Sequence, residues 1–264
     1  MADDVLLIEE SGGIARLTLN RPERLNALNT ALATALREYF QGLYRRHDVR
    51  VVILQGAGKH FCAGLDLKDQ TPGHFSGAQA GMDVQHSIRD IMVAMRRCPQ
   101  PIICVAQGAA SGGGFALALA SDVRLVTPDS RMNAAFIRIG LTGCDMGVSY
   151  FLPRMVGSSV AAEYLLTGRF MDAARGHALG LYSRVAPLPE LQAEAQALAD
   201  DMLHATPLGL RLTKEALCQT LDMNSLEAVV ALEDRQQVLC TQNEDFHEGV
   251  QAFLEKRAPR YRNA

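Results

Sequence analysis

Two glycine-containing segments of the sequence could present backbone N–H groups to an oxygen that carries negative charge. In residues 110–116, Ala-Ser-Gly-Gly-Gly-Phe-Ala, three glycines separate an apolar strand pattern at 102–106 from an apolar helical pattern at 115–120. Glycine lacks a Cβ, so a ligand can approach its backbone closely, and the first amides of a helix have no intrahelical acceptor. The helix dipole also favours negative charge at this end. The alternative interpretation is a turn that glycine merely makes easier.

The second segment, residues 61–67, has the sequence Phe-Cys-Ala-Gly-Leu-Asp-Leu and also follows an apolar strand pattern, at 51–54. Each segment alone is a weak signal, because short glycine motifs are common in turns. Together, the two loops could direct two N–H donors at one oxygen. This pairing is the reason to interpret them as parts of one site.

The elements that would position these loops alternate between strands and helices in the first half of the chain. Residues 14–19 alternate apolar and polar side chains as a strand does, and a further strand is predicted at 123–126. Apolar residues recur at helical spacing at 32–43 and 83–97. This alternation predicts an α/β fold with crossover helices.

The pattern changes after Pro153, where helices predominate. A helix is predicted at 148–156, and further helical patterns lie at 160–166, 172–180, 191–203, 208–221, 226–240 and 246–257. We therefore expect an α/β core over residues 1–200 and a helical C-terminal region over residues 201–264. Helices at the end of a chain often mediate oligomer contacts.

Composition limits the class of protein. The 264 residues are 48% hydrophobic, which is ample for a sizeable core, and the formal net charge is −3. Neither nucleic acid nor a membrane surface is an expected partner of such a chain. The six cysteines form no CxxC pair and no zinc-like spacing with histidine, so we expect reduced thiols, no metal and a cytoplasmic location. The first residues show no signal-peptide pattern.

A series of further motifs runs in a fixed order along nearly the whole chain. They are Leu-Asn-Arg-Pro-Glu-Arg-Leu-Asn-Ala-Leu at 19–28, the two glycine segments, Ser-Asp-Val at 121–123, the stretch 140–153, Leu-Thr-Gly-Arg at 166–169, Gly-Leu at 180–181 and Ala-Phe-Leu-Glu-Lys-Arg at 252–257. In this order and spacing they resemble the crotonase (enoyl-CoA hydratase/isomerase) superfamily. The resemblance implies a spiral of ββα units, C-terminal helices that form trimers, and trimers that commonly pair into hexamers. It also implies a thioester of coenzyme A as substrate, with no separate cofactor.

The resemblance assigns roles to residues of this sequence. The backbone amides of Leu65 and Gly113 correspond to an oxyanion hole, which stabilises the enolate formed when a proton leaves the carbon next to a thioester. Substrate-binding positions implied in the same way are Arg24, Leu25, Ala63, Gly64, Asp66, Leu67 and Gly112. Phe253 and Lys256 match positions that reach the coenzyme A of a neighbouring subunit in relatives, although Lys256 could equally be a solvated charge.

The two catalytic glutamates of family hydratases are missing here. Their positions are occupied by Ala116 and Phe136, and neither side chain can transfer a proton, so hydration by the two-glutamate mechanism is not expected. Phe136 would instead line an apolar slot for the acyl group. Asp145 remains as a carboxylate that relatives use for acid/base catalysis, with helix capping as the alternative role.

Three functions remain open from the sequence. The first is an acyl-CoA isomerase or atypical hydratase with Asp145 as its acid/base group. The second is an acyl-CoA-binding protein that has lost catalysis, and the third is C–C bond formation or cleavage through the same enolate. We expect Cys62 and Cys144 to be buried, inert thiols and His60 to be a surface residue or one with a structural hydrogen bond.

Overall fold

A computed structural model describes residues 4–69 and 77–262 of the chain. The described strands are β1 Leu6–Ser11, β2 Ile14–Leu19, β3 Val51–Gly56, β4 Ile102–Ala106, β5 Ala109–Ser111, β6 Val123–Val126, β7 Arg131–Asn133, β8 Met171–Asp172 and β9 Arg184–Val185. The described helices are α1 Thr30–Gly42, α2 Ala78–Arg97, α3 Gly113–Ala120, α4 Val148–Val156, α5 Ser158–Thr167, α6 Ala173–Ala178, α7 Leu188–Leu203, α8 Pro207–Thr220, α9 Leu226–Thr241 and α10 Glu244–Glu255. The α/β class expected from the sequence is confirmed.

The strands form two sheets. The larger has the order β1-β2-β3-β4-β6-β9, in which β1 is antiparallel to β2 and the remaining pairs are parallel. The smaller has the order β5-β7-β8. Isolated parallel bridges, Leu28 to Leu65 and Cys62 to Ala110, continue this small sheet toward the first part of the chain. Both glycine segments therefore lie in one layer, next to each other.

The large sheet has apolar side chains on both faces because neighbouring strand residues point in opposite directions. Val52 and Leu54 of β3 belong to the main core, which includes α1, α2 and α3. Val51 and Ile53 belong to a second cluster on the other face, formed with α7. Burial on both faces is typical of a parallel sheet and explains the uninterrupted apolar runs in the sequence.

Helix α7 packs on the large sheet, where its Leu191, Ala195 and Ala199 are buried. The helix runs across residue 200, which the sequence predicted as the end of the core. The division into a core and a C-terminal region stays a prediction. None of the helices in the described parts of the chain has the length and apolar character needed to cross a membrane.

The helical prediction for residues 172–180 is partly wrong. Met171–Asp172 pairs with β7 as a short strand, and the helix that follows ends at Ala178. The Asp172 side chain accepts a hydrogen bond from the N–H of Arg175 and so begins this helix. The other predicted helices are present, with bounds that differ by a few residues at their ends.

Helix α8 is joined to the core by a buried cation. Lys214 has a side-chain exposure of 4%, and its Nζ lies 2.9 Å from Oδ2 of Asp122. The same ammonium group donates to the carbonyl oxygens of Gln100 at 2.7 Å and Met95 at 3.2 Å. These contacts connect α8 with the end of α2 and the segment before β6.

Candidate active site

The two glycine segments touch each other. Gly64 has a φ of +92°, and a Cβ added there would lie 2.7 Å from the carbonyl oxygen of Ser111 and 3.2 Å from the amide nitrogen of Gly113. The N–H of Ser111 donates to the carbonyl of Cys62 at 2.9 Å, which holds the segments side by side. Only glycine permits this approach at position 64, because a side chain would separate the two backbones.

The backbone amides of Leu65 and Gly113 have no hydrogen-bond acceptor among residues 4–69 and 77–262. The N–H of Leu28 donates to Gly64 at 2.7 Å and the N–H of Asp66 donates to Leu28 at 3.0 Å, so the N–H of Leu65 points away from Leu28. Gly113 is the first residue of α3, where an amide has no acceptor within the helix. Both amides can therefore donate to a ligand.

The positions that carry glutamates in family hydratases are filled by buried apolar side chains. Ala116 lies in α3, whose eight residues are all buried. Phe136 is 8% exposed, and its Cε1 lies 3.3 Å from the position that a Cβ on Gly112 would occupy. Phe136 therefore packs next to the second glycine segment, and its role as a wall of the acyl slot stays a prediction.

Asp145 lies in the loop before α4, and one of its carboxylate oxygens is held by two donors. Oδ1 accepts hydrogen bonds from the side-chain amide of Gln85 and from the N–H of Met146 at 2.7 Å. Oδ2 has no hydrogen-bond partner in the described part of the chain. Sδ of Met146 lies 3.4 Å from the position of a Cβ on Gly113, which brings this loop to the glycine segments.

Helix capping by the Asp145 side chain is not observed. The cap residue of α4 is Gly147, and no side chain accepts a hydrogen bond at this helix end. Only the backbone carbonyl of Asp145 contributes, by accepting from the N–H of Val148 at 3.0 Å. The carboxylate of Asp145 therefore does not cap α4, and helix capping was the main alternative to acid/base catalysis.

Asp145 and Gln85 line a cavity of about 560 Å³ between α2 and α4. Apolar side chains that line the same cavity include Met92, Met146 and Phe151. A smaller cavity of about 80 Å³ is lined by Leu28, Leu65, Val84, Ser87 and Ile88, among others. Because Val84 and Gln85 are consecutive in α2, this helix borders both the cavity at Leu65 and the cavity at Asp145.

Asp66 is held in a buried ion-pair network. Its carboxylate lies 2.9 Å from the guanidinium of Arg21 and 3.0 Å from that of Arg24, and its side chain is 5% exposed. Burial raises the pKa of this carboxyl, but the hydrogen bonds from Arg24 and Arg21 outweigh burial and hold the pKa below its ordinary value. The carboxylate therefore holds the loop in place through Arg21 and Arg24, and a contact of Asp66 with the ligand stays a prediction.

The other predicted ligand-binding residues form two separate groups. Leu25 and Leu67 expose 48% and 56% of their surfaces near Ala63, whose N–H donates to the carbonyl of Leu25 at 3.0 Å. Phe253 is 83% exposed and Lys256 is exposed at the end of α10. Neither of these two residues lines the cavity beside Asp145. Their contact with the ligand of a neighbouring subunit stays a prediction.

The other candidate nucleophiles and bases are Cys62, His60 and Cys144. The structure agrees with the expectation for the first two and disagrees for Cys144. Burial raises the pKa of the Cys62 thiol to about 12, so this thiol stays protonated as predicted. His60 accepts a hydrogen bond at Nδ1 from the N–H of Ala109 at 3.0 Å, which agrees with a structural role. The prediction for Cys144 is wrong, because this residue is exposed and lines the cavity next to Asp145.

Two contacts of the candidate site were not predicted from the sequence, those of Gln85 with Asp145 and of Met146 with Gly113. The helical pattern at 83–97 identified the apolar side of α2, but no local pattern shows which polar residue faces a loop 60 positions later. Within the described residues, no group of three or more histidines, cysteines, aspartates or glutamates could hold a metal ion.

A model of a protein family described as enoyl-CoA hydratase/isomerase matches residues 9–264. The chain belongs to this family. A 1,2-epoxyphenylacetyl-CoA isomerase of Escherichia coli (strain K12) is 34% identical over 259 residues, which are 98% of this chain and 98% of the relative. A protein of Mycobacterium tuberculosis (strain ATCC 25618 / H37Rv) named probable enoyl-CoA hydratase EchA12 is 39% identical over 253 residues, or 93% of this chain and 88% of the relative.

Solved structures of enoyl-CoA hydratases share the fold. The crystal structure of the enoyl-CoA hydratase from Bacillus anthracis superimposes with a TM-score of 0.92 at 30% identity, covering 98% of this chain and 100% of that one. Membership of the crotonase superfamily and the spiral α/β fold are thus confirmed. The relatives support an enzyme of the enoyl-CoA hydratase/isomerase type.

Proposed function

We propose that this family member moves the double bond of an unsaturated acyl-CoA thioester, with Asp145 as the group that transfers the proton. The observation that carries the proposal is the carboxylate of Asp145, which is held at Oδ1 and has no partner at Oδ2 among the described residues; the next residue, Met146, packs against Gly113. A single carboxylate can remove a proton from one carbon of an allylic system and return it to another. Double-bond migration therefore needs no second acid/base group.

The amides of Leu65 and Gly113 would bind the thioester oxygen. When Oδ2 of Asp145 takes a proton from the carbon chain, the electron pair of that C–H bond delocalises and negative charge develops on the thioester oxygen. Two preorganised N–H donors stabilise this charge by about 3 kcal/mol each. The proton then returns from Asp145 to a different carbon, which shifts the double bond and restores the carboxylate.

Hydration is the less favoured reaction. Adding water across the double bond needs one group to activate the water and one to protonate the carbon, and the family provides these by two glutamates. Here Ala116 and Phe136 are buried apolar residues. Loss of a general acid or base typically lowers the rate about 10²- to 10⁴-fold.

The coenzyme A portion would lie over the surface formed by Arg24, Leu25 and residues 63–67. Leu25 and Leu67 supply exposed apolar surface for the pantetheine, and Arg24 supplies positive charge for phosphate while it pairs with Asp66. Lys256 and Phe253 would complete this surface from a neighbouring subunit.

A homotrimer, or two trimers as a hexamer, is proposed as the assembly. The support is a set of exposed apolar side chains on the C-terminal helices, namely Leu217, Leu221, Leu226, Val230, Val238, Leu239, Phe253 and Leu254. Exposed apolar surface of this extent is typical of protein interfaces. Light scattering after size-exclusion chromatography tests the proposal, and a monomer as the only species would overturn it.

The reaction is tested with a matched pair of substrates. Purified protein is given 3-enoyl-CoA and 2-enoyl-CoA thioesters, and conversion between them is followed separately from formation of the 3-hydroxyacyl product. We expect isomerisation to exceed hydration, and Asp145→Asn to lower isomerisation at least about 100-fold while acyl-CoA binding persists. Asp83→Asn, on the surface of α2, serves as the control.

Other results of these experiments would contradict the proposed isomerase function. Unchanged turnover in Asp145→Asn would exclude Asp145 as the acid/base group. Binding of acyl-CoA without any turnover would indicate a non-catalytic acyl-CoA-binding protein. Turnover of β-keto or aryl acyl-CoA thioesters in preference to enoyl-CoA would indicate C–C chemistry.

A further inference from the structure

Gln85 of α2 contacts the carboxylate of Asp145 across the cavity. Its side-chain amide nitrogen donates to Oδ1, and since an ionised carboxylate only accepts hydrogen bonds, the amide must present its NH₂ group to it. The N–H of Met146 donates to the same oxygen at 2.7 Å. One donor therefore comes from a helix and the other from the loop that carries Asp145.

We propose that Gln85 is a positioning residue, which fixes the side-chain rotamer of Asp145 so that Oδ2 faces the reacting carbons. The proposal rests on the function proposed above, in which Oδ2 transfers the proton. The backbone donor of Met146 is adjacent in sequence to Asp145, whereas the amide of Gln85 reaches the same oxygen from helix α2. The two bonds together restrict rotation of the carboxylate.

The shape of the loop supports this division of roles. Met146 has a φ of +49°, in the left-handed region that a methionine rarely adopts, and Gly147 follows with a φ of +85°. The hydrogen bond from the N–H of Val148 to the backbone carbonyl of Asp145, at 3.0 Å, closes this turn. These features hold the backbone of residues 145–147, but they leave the side-chain torsions of Asp145 to its hydrogen bonds.

Other charged and titratable groups of the cavity do not replace Gln85. Those that line it are Arg89, Arg96, Arg97, Cys144, Tyr150 and Cys218. Arg96 pairs with Asp122 at 3.1 Å, Arg89 pairs with Asp90 at 3.2 Å, and the hydroxyl of Tyr150 donates to Asp222 at 2.7 Å. In the described part of the chain, Gln85 supplies the side-chain hydrogen bond to the Asp145 carboxylate.

A glutamine–aspartate pair elsewhere on α2 offers a matched control. Gln79 donates to Asp83 at 3.0 Å, both side chains are exposed, and neither lines the cavity. Gln79→Met removes the same kind of hydrogen bond from the same helix without a change near Asp145. Gln85→Met keeps the length of the side chain at the site and removes its donor.

We expect Gln85→Met to lower kcat for isomerisation roughly 10- to 100-fold with KM changed by less than about two-fold, because a carboxylate with a free rotamer is misplaced for part of the time. Gln79→Met should leave kcat and KM unchanged. In the Asp145→Asn background, Gln85→Met should cause no further loss, because its effect passes through Asp145.

Gln85→Glu provides a second readout that a merely structural residue would not change. It keeps the size of the side chain and places a second carboxylate beside Asp145, so the acid limb of the pH–kcat profile should move to higher pH by about one pH unit or more. Thermal melting and coenzyme A binding show whether each variant is folded. If Gln85→Met does not fold, the pH profile of Gln85→Glu alone decides between the outcomes.

The outcomes separate this proposal from the proposed function. If Asp145→Asn is inactive while Gln85→Met keeps the wild-type kcat and Gln85→Glu keeps the wild-type pH profile, the positioning role is overturned and the function stands. If Asp145→Asn itself keeps full turnover, the proposed function is overturned, and the positioning role with it.

Discussion

The ring of Phe136 lies against Gly112, with its Cε1 atom 3.3 Å from the position that a Cβ on Gly112 would take. Gly112 has a φ of +51° and its N–H donates to the carbonyl of Asn133 at 2.9 Å, so the second glycine segment is held from the side of β7. An aromatic side chain thus stands at the position for which the family resemblance implies a catalytic glutamate. Its ring places an apolar surface beside the second glycine segment.

Restoring the first hydratase glutamate should destabilise the protein. Ala116 is fully buried in α3, and Ala116→Glu would place a carboxylate there without a partner. We expect the free energy of unfolding to fall by at least about 3 kcal/mol, measured by urea denaturation, with no gain in hydration of 2-enoyl-CoA. Ala31→Glu on the exposed side of α1 is the control and should change stability by less than about 0.5 kcal/mol. A stable Ala116→Glu variant that hydrates its substrate would contradict this prediction.

Gly64→Ala should reduce catalysis more than stability. A methyl group there would meet the carbonyl of Ser111 at 2.7 Å and the amide nitrogen of Gly113 at 3.2 Å, so it would push apart the two proposed donors. We expect kcat to fall about 100-fold or more, as for the loss of one oxyanion-hole donor. The positive φ itself costs about 1–2 kcal/mol of stability.

Gly180→Ala is the matched control for that experiment. Gly180 has a φ of +78°, and no atom lies within 4 Å of a Cβ added there. Gly180→Ala should therefore lose only the stability that the positive φ costs, with an unchanged kcat. Equal kcat values in the two variants would show that the contact between the glycine segments is unimportant for catalysis.

The ion pairs of Asp66 should make stability depend on pH in the acid range. Because the folded-state pKa of Asp66 lies below its ordinary value of 3.8, its contribution to stability is present above that value and is lost as pH falls through the folded-state pKa. Asp66→Asn should lower the free energy of unfolding by about 3 kcal/mol at pH 7 and by less below pH 4, because the wild type has then lost the same contribution.

The control for Asp66 is an exposed ion pair. Arg89 and Asp90 lie 3.2 Å apart with side-chain exposures of 53% and 39%. Asp90→Asn should change stability by no more than about 0.5 kcal/mol at any pH. The free energy of unfolding of wild type, Asp66→Asn and Asp90→Asn is measured by denaturant unfolding from pH 7 to pH 3. A difference between wild type and Asp66→Asn that stays constant over this range would contradict the stabilising role of the Asp66 ion pairs.

Cys144 should be the cysteine of the cavity that thiol reagents modify most readily. Cys144 is exposed and lines the same cavity as Asp145, whereas burial raises the pKa of Cys62 and of Cys104 to about 12. Cys218 also lines the cavity, but it is only partly exposed, and burial raises the pKa of its thiol. Iodoacetamide should therefore modify Cys144 without modifying these two thiols, and an added group should block the cavity. Mass spectrometry locates the modification, and Cys144→Ser should keep its activity after treatment. Inhibition of Cys144→Ser at the wild-type rate would contradict this prediction.

Several features followed from the sequence because local chemistry determines them. The apolar runs that became β3 and β4 must be buried on both faces, and three consecutive glycines before an apolar helix favour a tight turn with free amides. The absence of proton-transferring groups at positions 116 and 136 is a property of the side chains themselves. The motif order identified the superfamily before any contact was known.

The contacts of the candidate site depended on the tertiary structure. The proximity of Gly64 to Gly113, the hydrogen bond from Gln85 to Asp145 and the packing of Met146 against Gly113 join residues that are 49, 60 and 33 positions apart. Local patterns carry no information about such pairs, since the separation in space is set by how crossover helices return the chain to the sheet. The exposure of Cys144 was mispredicted for the same reason.

The sequence by itself thus determined the central strands, most of the helices, the family and the chemical groups available, because these depend on side-chain type and on spacing within a segment. The short strands β5, β7, β8 and β9 and the edge strand β1 appeared only in the structure. Only the tertiary structure decided which groups meet. It directed Asp66 into ion pairs with Arg21 and Arg24, and it left one oxygen of Asp145 without a partner among the described residues at the wall of a cavity. Two carboxylates of similar chemistry have different surroundings because burial and hydrogen bonding, which fix the environment of a charge, arise from long-range packing.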